Sequence, residues 1–299
     1  MSERVVVIVI HWNQAKPCLE TVASFRTQPE VESFIVVDNG SRPNELKVLR
    51  AGLGDDVELI EVGHNSGFGP AANRGWERWL ANPTGPAWSV VAPHDAHPDP
   101  GTLTTMLDVI AERSRVGLAC ADVGDGFTPV IDPVLGTIDG PATVSEGFEA
   151  ADYPHGTLLM AHRDCISEIG LFDERYFAYC EEADLGMRAT AAGWQIGLIR
   201  GARVRNQHVN TPAPIIDYLK ERNILLFLAD HFGWRKVAIR AVLSLWQLVA
   251  GAVRPSTRAE YWSGRARLFA LRDAVLRRWG PPPPEVFALG QVRGDAQNG

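Results

Sequence analysis

Apolar positions in the first half of the chain switch between two periods, and the switching predicts the architecture. Arg4 to Ile10 is a continuous β-branched run, the pattern of a strand buried on both faces. Lys16 to Thr27 follows with Leu19, Val22, Ala23 and Phe25 on or near one helical face, and Phe34 to Val37 is a second buried strand ending at Asp38. The series continues with a helix over Glu45 to Ala51, a strand over Val57 to Val62 and a helix over Gly69 to Leu80. A strand over Ser89 to Ala92 then runs into Pro93, followed by a helix over Gly101 to Arg113. Strands separated by helices imply parallel βαβ units with right-handed crossovers. In such sheets ligands bind beyond the carboxyl ends of the strands, and Asn13, Asp38, Asn65 and Asp95 each follow a strand there.

The pattern then loosens. Val123 to Asp152 is rich in Gly, Pro and Asp and reads as irregular loop. An apolar strand resumes over Gly156 to Ala161, then a short helix over Arg163 to Gly170, a helix over Glu181 to Gly193 and a strand over Gln195 to Ile199. Beyond Pro214 the chain becomes mostly helical and rich in Arg. From Pro281, four consecutive prolines and a Gly/Asp/Gln/Asn tail predict disorder. The division expected is an α/β body over 1–214, a helical region over 215–280 and a tail over 281–299.

Charge sharpens this division. Residues 1–214 hold 16 basic and 29 acidic side chains, a balance of −13, whereas 215–280 hold 12 basic and 5 acidic, a balance of +7. A basic appendage on an acidic body suggests a separate partner for the appendage, and an acidic chain with so local a basic region is a poor nucleic-acid binder. No run of about 18 uncharged apolar residues is present, so a spanning helix is not expected. The start, MSERVVVIVIHWNQ, lacks a cleavage site and reads as a first strand rather than a signal peptide. Cys18, Cys120, Cys165 and Cys180 form no CxxC pair, which fits packing roles in a reducing cytoplasm.

Four segments carry candidate chemistry. Val36-Val37-Asp38-Asn39-Gly40-Ser41 places a carboxylate and an amide at a strand end, suited to a ribose or base edge, although Asp-Asn-Gly is also an ordinary turn. His64-Asn65-Ser66-Gly67-Phe68-Gly69 leads small residues into a helix whose free N–H groups can face a pyrophosphate, with Asn73 and Arg74 one turn further in. Pro93-His94-Asp95-Ala96-His97 puts a carboxylate after a strand, where it can hold Mg²⁺ or Mn²⁺; His97 adds a nitrogen ligand or caps the loop. Glu181-Glu182-Ala183-Asp184 crowds carboxylates at a helix start. The helix dipole accounts for one or two of them, and crowding also raises the pKa toward that of a general base. His208 follows the next strand and basic segment.

In order, VIVIHWNQ, VVDNGS, HNSGFGPAANRG, PDPGTL, GLFDERYFAYCEEADLGMRATAAGW and the later His208 resemble glycosyltransferase family 2, in particular its rhamnosyltransferase-like branch, over roughly residues 4–210. The resemblance implies a GT-A fold, a Rossmann-like, mostly parallel sheet flanked by helices, here with a C-terminal helical appendage. It implies inverting transfer of a sugar from a nucleotide-sugar donor, dTDP-rhamnose ahead of a UDP-sugar, to an acceptor hydroxyl on a glycan, a lipid-linked saccharide or a small molecule. It assigns Asp38 and Asn39 to the nucleoside, and Asn65, Gly67, Asn73 and Arg74, beside Asn13, to the donor. Asp95, His97 and His208 fall to a divalent metal, and Glu182 to the catalytic base, with Asp184 as the alternative. Pro93 stands where the first acid of the family's D-x-D sits, and Glu182 is one methylene longer than the usual Asp.

Polar residues Lys236, Arg240, Ser244, Gln247 and Gly251 form a narrow stripe beside a broad apolar face with Leu243, Leu245, Trp246, Leu248 and Val249. Such a helix suits packing on the body, a homodimer, or peripheral contact with the inner face of the cell membrane. Two other functions share the architecture: an inactive nucleotide-sugar or glycan-binding module, and a nucleotidyltransferase. The latter needs a Gly-rich basic loop after the first strand, where His11-Trp12-Asn13-Gln14 stands instead.

Overall fold

The computed structural model describes residues 3–206 and 211–297. All seven residues of β1 (Val5–His11) are buried, which requires a layer on each face of the sheet. Val5, Val7 and Val9 face Cys18, Val22 and Phe25 of α1 (Ala15–Phe25). Val6, Ile8 and Ile10 face the opposite layer, supplied by α3 (Phe68–Leu80) through Ala71, Ala72, Trp76 and Trp79. Between these helices come β2 (Val31–Asp38), α2 (Pro43–Gly52) and β3 (Val57–Glu61), and β4 (Trp88–Pro93) follows α3. β1 runs parallel to both β2 and β4, with His11 beside Asp38 and Ile10 beside Pro93, so three strands end at one level. A side chain at Gly75 would collide with Ile8, so glycine lets α3 lie close on β1.

The second half of the sheet departs from the parallel pattern. The chain continues through β5 (Ala96–Pro98), α4 (Thr102–Ala111), β6 (Val116–Asp122), β7 (Phe127–Asp132), β8 (Gly136–Pro141), β9 (Gly147–Ala150) and β10 (Leu159–His162). It then forms α5 (Arg163–Ile169), α6 (Glu181–Ala191) and β11 (Gln195–Asn206). β10 inserts antiparallel between β4 and β6, and β11 pairs parallel with β6 but antiparallel with β9 and β5. Among the described residues nine strands thus form one mixed sheet, ordered β3-β2-β1-β4-β10-β6-β11-β5, with β9 also on β11. The expectation of a mostly parallel sheet is corrected to this extent.

Val123 to Asp152 is likewise not irregular: it holds the β7-β8 ribbon and β9. Its apolar period is hidden because β9 buries a charge. Glu149 accepts from Arg200 Nε at 2.6 Å, and Arg200 also meets Asp122 at 3.3 Å, all three buried.

The chain clusters into two compact units. The first comprises the chain up to Val130, Asp139–Asp173, and Glu182 through β11. The second comprises Ile131–Ile138, Glu174–Glu181 and everything from α7 onward. Two short segments from earlier in the chain thus belong with the helical region. The second unit contains α7 (Ala213–Phe232), α8 (Trp234–Val253), α9 (Gly264–Val275) and α10 (Pro284–Gln297). Its apolar core gathers Ile215, Tyr218, Leu219, Ala266, Ala270 and Val286. The last of these belongs to the tail expected to be disordered, which instead forms α10. Proline is tolerated in a first helical turn because its missing N–H has no intrahelical partner there. All four cysteines are buried and none forms a disulfide, as packing roles require.

The buried Arg200 cluster gives a test. Replacing Arg200 with Met strands two carboxylates in the core and should cost about 3–5 kcal/mol in urea unfolding. Burial alone would raise the Glu149 pKa, but hydrogen bonds from Thr143 and Arg200 outweigh it and bring it down to about 2. A depressed carboxyl stabilises the fold above its ordinary pKa. That contribution should fade as pH falls from about 4.5 toward 2, with a thermal midpoint that drops more steeply than in Glu149→Gln.

Candidate functional site

The shared level of β1, β2 and β4 decides where chemistry-bearing side chains meet. His11, fully buried, ends β1. Its Nδ1 lies 2.9 Å from Asp38 Oδ1, and Gln14 N–H donates to its Nε2 at 3.1 Å, so the neighbours place the ring proton on Nδ1. Ser41 N–H donates to the other Asp38 oxygen at 3.2 Å. Burial pushes the Asp38 pKa up, but the hydrogen bonds from His11 and Ser41 hold it below the ordinary carboxylate range. Asn13, at φ +56°, accepts from Arg42 N–H at 2.8 Å, while its own N–H donates to Ser41 Oγ at 2.8 Å. Asp38 is therefore a buried, ionised anchor of its own loop.

Asn39 joins this loop to the next. Its carboxamide oxygen accepts from Ser66 N–H at 2.9 Å and Ser66 Oγ at 2.8 Å; its amide donates to Gly67 O at 3.0 Å and Asn65 Oδ1 at 3.2 Å. Asn65 Oδ1 also receives Gly67 N–H at 3.0 Å, and Gly67 takes φ +100°, a conformation glycine adopts without strain. Gly40, at φ +75°, lies directly on the His64 backbone, where a Cβ would collide. The two motifs that the sequence sets 26 residues apart, from Asn39 to Asn65, form one buttressed corner at the start of α3.

Asn73 is buried, with its amide donating to Phe172 O at 2.9 Å and its carboxamide oxygen accepting from Phe172 N–H at 3.0 Å. It thus ties α3 to the segment before the acidic cluster. Arg74, one residue on, is exposed and pairs with Glu77 at 2.9 Å.

Past β4, Asp95 is buried and His97 half-buried in β5, with His97 opposite Arg205 in the register with β11. Among the described residues no three His, Cys, Asp or Glu side chains converge as a ready metal cage. His208 lies outside the described residues. His94 escaped the sequence reading. Its ring meets His11 edge to face at 6.0 Å, its Nε2 is buried without a hydrogen-bond partner, and burial pushes its pKa down, so the imidazole is neutral at pH 7. His11 and His94 were legible only as residues flanking strand ends.

The acids of α6 separate clearly. Asp184 is buried and its Oδ2 accepts from Arg188 Nε and Nη2 at 2.9 and 2.8 Å, while Arg188 also binds the Ile169 and Leu171 carbonyls. Glu182 is half-exposed, and its carboxylate lies over Gly156, where a Cβ would collide with Oε1. Asp184 is therefore committed to holding the fold, and Glu182 is the acid with access to solvent.

The run before α6 is strained: Phe177, Tyr179 and Cys180 take φ of +67°, +69° and +73°. Asn223, buried on α7, donates to the carbonyls of Tyr176, Ala178 and Tyr179, each at 2.8 Å. No sequence signal marked Asn223, because its three partners are backbone.

A family model described as glycosyl transferase family 2 matches residues 6–165. A Mycobacterium tuberculosis protein, N-acetylglucosaminyl-diphospho-decaprenol L-rhamnosyltransferase, is 29% identical over 252 residues, covering 71% of this chain and 79% of that one. Among solved structures, the chain is similar to a mannosyltransferase from Pyrobaculum calidifontis in complex with GDP-Man and Mn²⁺. That match has a TM-score of 0.59 and 14% identity, covering 93% of this chain and 88% of the other. It is also similar to GalNAc-T7 with UDP, GalNAc and Mn²⁺, at a TM-score of 0.61 and 12% identity, over 92% of this chain and 56% of that one. These two likenesses are of fold.

The corner between the loops is open to direct test. Gly40→Ala imposes a left-handed conformation on alanine and drives its Cβ into the His64 backbone. It should destabilise the protein by about 1–3 kcal/mol and weaken binding of a nucleoside diphosphate, read by calorimetry. Gly63→Ser, at φ +81° but with open space around its Cβ, meets the backbone cost alone, so it should destabilise by less than Gly40→Ala, on the order of 1 kcal/mol, and leave nucleoside diphosphate binding unchanged.

Proposed function

Because the chain belongs to glycosyltransferase family 2, we propose that it catalyses an inverting transfer of L-rhamnose from dTDP-rhamnose to a hydroxyl of a lipid-linked saccharide. The donor and acceptor classes are supported by the relative named as an N-acetylglucosaminyl-diphospho-decaprenol L-rhamnosyltransferase. A water-soluble donor and a lipid-linked acceptor meet where the cytoplasm borders the membrane, which is where this chain would work.

One observation carries the mechanism: of the two acids that can serve as base, Asp184 is held by Arg188 and Glu182 is the accessible one. In the proposed displacement Glu182 accepts the proton of the acceptor hydroxyl while that oxygen bonds to the anomeric carbon. The bond from that carbon to the nucleoside diphosphate breaks, and the configuration inverts. The corner built by Asn39, Asn65 and Gly67 fixes the start of α3, where the N–H groups of Phe68 and Gly69 suit a pyrophosphate. Asn13 and Asp38 shape the adjoining wall for the nucleoside.

Whether the loop after β4 suits a divalent ion is decided by its donors. Mg²⁺ and Mn²⁺ sites need few protein oxygens when phosphate supplies others, and the buried Asp95 carboxylate meets that need although Pro93 offers none. Asp95, with His97 and His208 as the further candidates, would hold the ion. When bound, such an ion draws charge from the departing diphosphate.

Two experiments bear on this reading. Glu182→Gln should lower turnover by about 10² to 10⁴ while donor binding persists, and Glu182→Asp should keep part of the rate. Gly156→Ala displaces only the flexible end of Glu182, so turnover should fall with little loss of stability. If Asp184→Asn abolishes turnover in a folded protein and Glu182→Gln does not, the base is Asp184. Separately, Asp95→Ala should remove most of the extra thermal stabilisation that Mn²⁺ adds to dTDP. Unchanged metal-dependent stabilisation takes Asp95 out of the site.

A further inference from the structure

α8 is built inside out. Its polar stripe faces the interior of the second unit. Arg240 Nη2 lies 3.3 Å from Glu221 Oε2, Ser244 donates to Glu221 Oε1, Arg267 reaches Gln247 at 3.3 Å, and Gly251 packs under Trp262. The apolar residues point the other way. Ile239, Val242, Leu245, Trp246, Val249 and Val253 recur every three or four positions on the exposed side, with Val242, Trp246 and Val253 at 68%, 64% and 73% exposure. The helix exposes the face that folding ordinarily buries and hides the face that ordinarily meets water. Contiguous exposed apolar surface of this kind marks a contact with something apolar.

Charge identifies what that is. The buried acids Asp217, Glu221 and Asp273 are matched by Arg267, Arg240 and Arg272. That leaves the surface of 215–280 to Lys220, Arg235, Lys236, Arg254, Arg258, Arg265, Arg277 and Arg278, against Asp230 and Glu260. Arg235 and Arg254 flank the apolar stripe at its two ends. A second copy of the chain would bring these cations against their own equivalents. An anionic lipid surface complements both properties, taking the apolar side chains among its acyl chains and the arginines among its headgroups.

We infer that α8 lies along the surface of an anionic membrane with Ile239, Val242, Trp246, Val249 and Val253 immersed. By length and composition alone α8 is the described helix that would reach across a bilayer, although the sequence holds no uninterrupted run of uncharged apolar residues of that length. Crossing would strip Arg240 and Ser244 from Glu221 or carry the buried acid with them into hydrocarbon. Lying flat preserves that cluster. The inference rests on the surface of α8 and stands or falls apart from the identity of donor, acceptor and base.

The test is cosedimentation of the full chain with vesicles of phosphatidylglycerol or of phosphatidylcholine. Retention is expected on the anionic vesicles at low salt, falling as salt rises and the Debye length shortens, with little retention on the neutral ones. Val242→Ser with Trp246→Ser should lower partitioning tenfold or more. Arg235→Glu with Arg254→Glu should lower it at least several-fold for each charge. These side chains are exposed, so circular dichroism and thermal midpoint should match the parent, and any variant that fails this control is replaced by Val249→Ser. Absence of retention on anionic vesicles overturns the inference, as does retention unaffected by the serine pair. A dimer by light scattering that the serine pair dissolves would assign the face to a second copy instead.

Discussion

The candidate site depends on the parallel register that brings β1, β2 and β4 to an end at one level. Parallel strands leave their terminal carbonyl and amide groups at a common edge, and each loop that departs from it must satisfy buried polar backbone. His11, Asp38 and Asn39 do this for the first two loops. Asn39 commits both ends of its amide to Asn65, Ser66 and Gly67, and Asp38 commits both oxygens to His11 and Ser41. His11 is held on both ring nitrogens, by Asp38 at Nδ1 and by Gln14 N–H at Nε2, so the edge is rigid at this point. The short strand β5 extends it only because β11 runs past β6 to pair with it, through a register break between Ile199 and Arg203.

How much of this was legible in the sequence follows from which interactions are periodic. The first four strands and three helices announce themselves because each buries a continuous or amphipathic apolar set. The hairpin and β9 do not, since what they bury is the Glu149–Arg200 pair rather than a row of valine or isoleucine. The roles of the polar residues were less legible still. Asn39 and Asn73 are both asparagines in family motifs and both are buried, yet one knits two loops and the other clasps the Phe172 backbone. Residue type and spacing state that an amide is needed and leave its partner open, because backbone partners carry no sequence signal. Asn223 is the extreme case, with three carbonyls of the run that holds Phe177, Tyr179 and Cys180 at positive φ resting on one side chain.

The acidic cluster at α6 shows why crowding of carboxylates alone is a weak argument for catalysis. Glu182 and Asp184 are two residues apart and therefore point about 200° apart around the helix. One side turns toward Arg188 and the core, where an arginine fork, itself held by neighbouring carbonyls, fixes the carboxylate in place. The other turns toward Gly156, where the absence of a side chain leaves room for a longer acid. The glycine leaves the space on the facing segment that the end of the Glu182 side chain occupies.

The helical unit applies the same logic with its sign reversed. In the first unit polar groups gather at an edge and apolar ones fill the layers, whereas around α8 the ion pairs are the filling and the apolar side chains are the surface. Breaking a buried pair such as Arg240–Glu221 is costly because one charge is left without a partner in the interior. That cost fixes the orientation of α8 even though turning it over would bury more apolar area. The spacing of apolar and polar residues along a helix tells that its two faces differ, and leaves open which of them turns inward. For α8 that choice was made by residues on another helix. Asp217 and Glu221 of α7 present carboxylates one turn apart and so recruit the arginine-bearing faces of both α8 and α9.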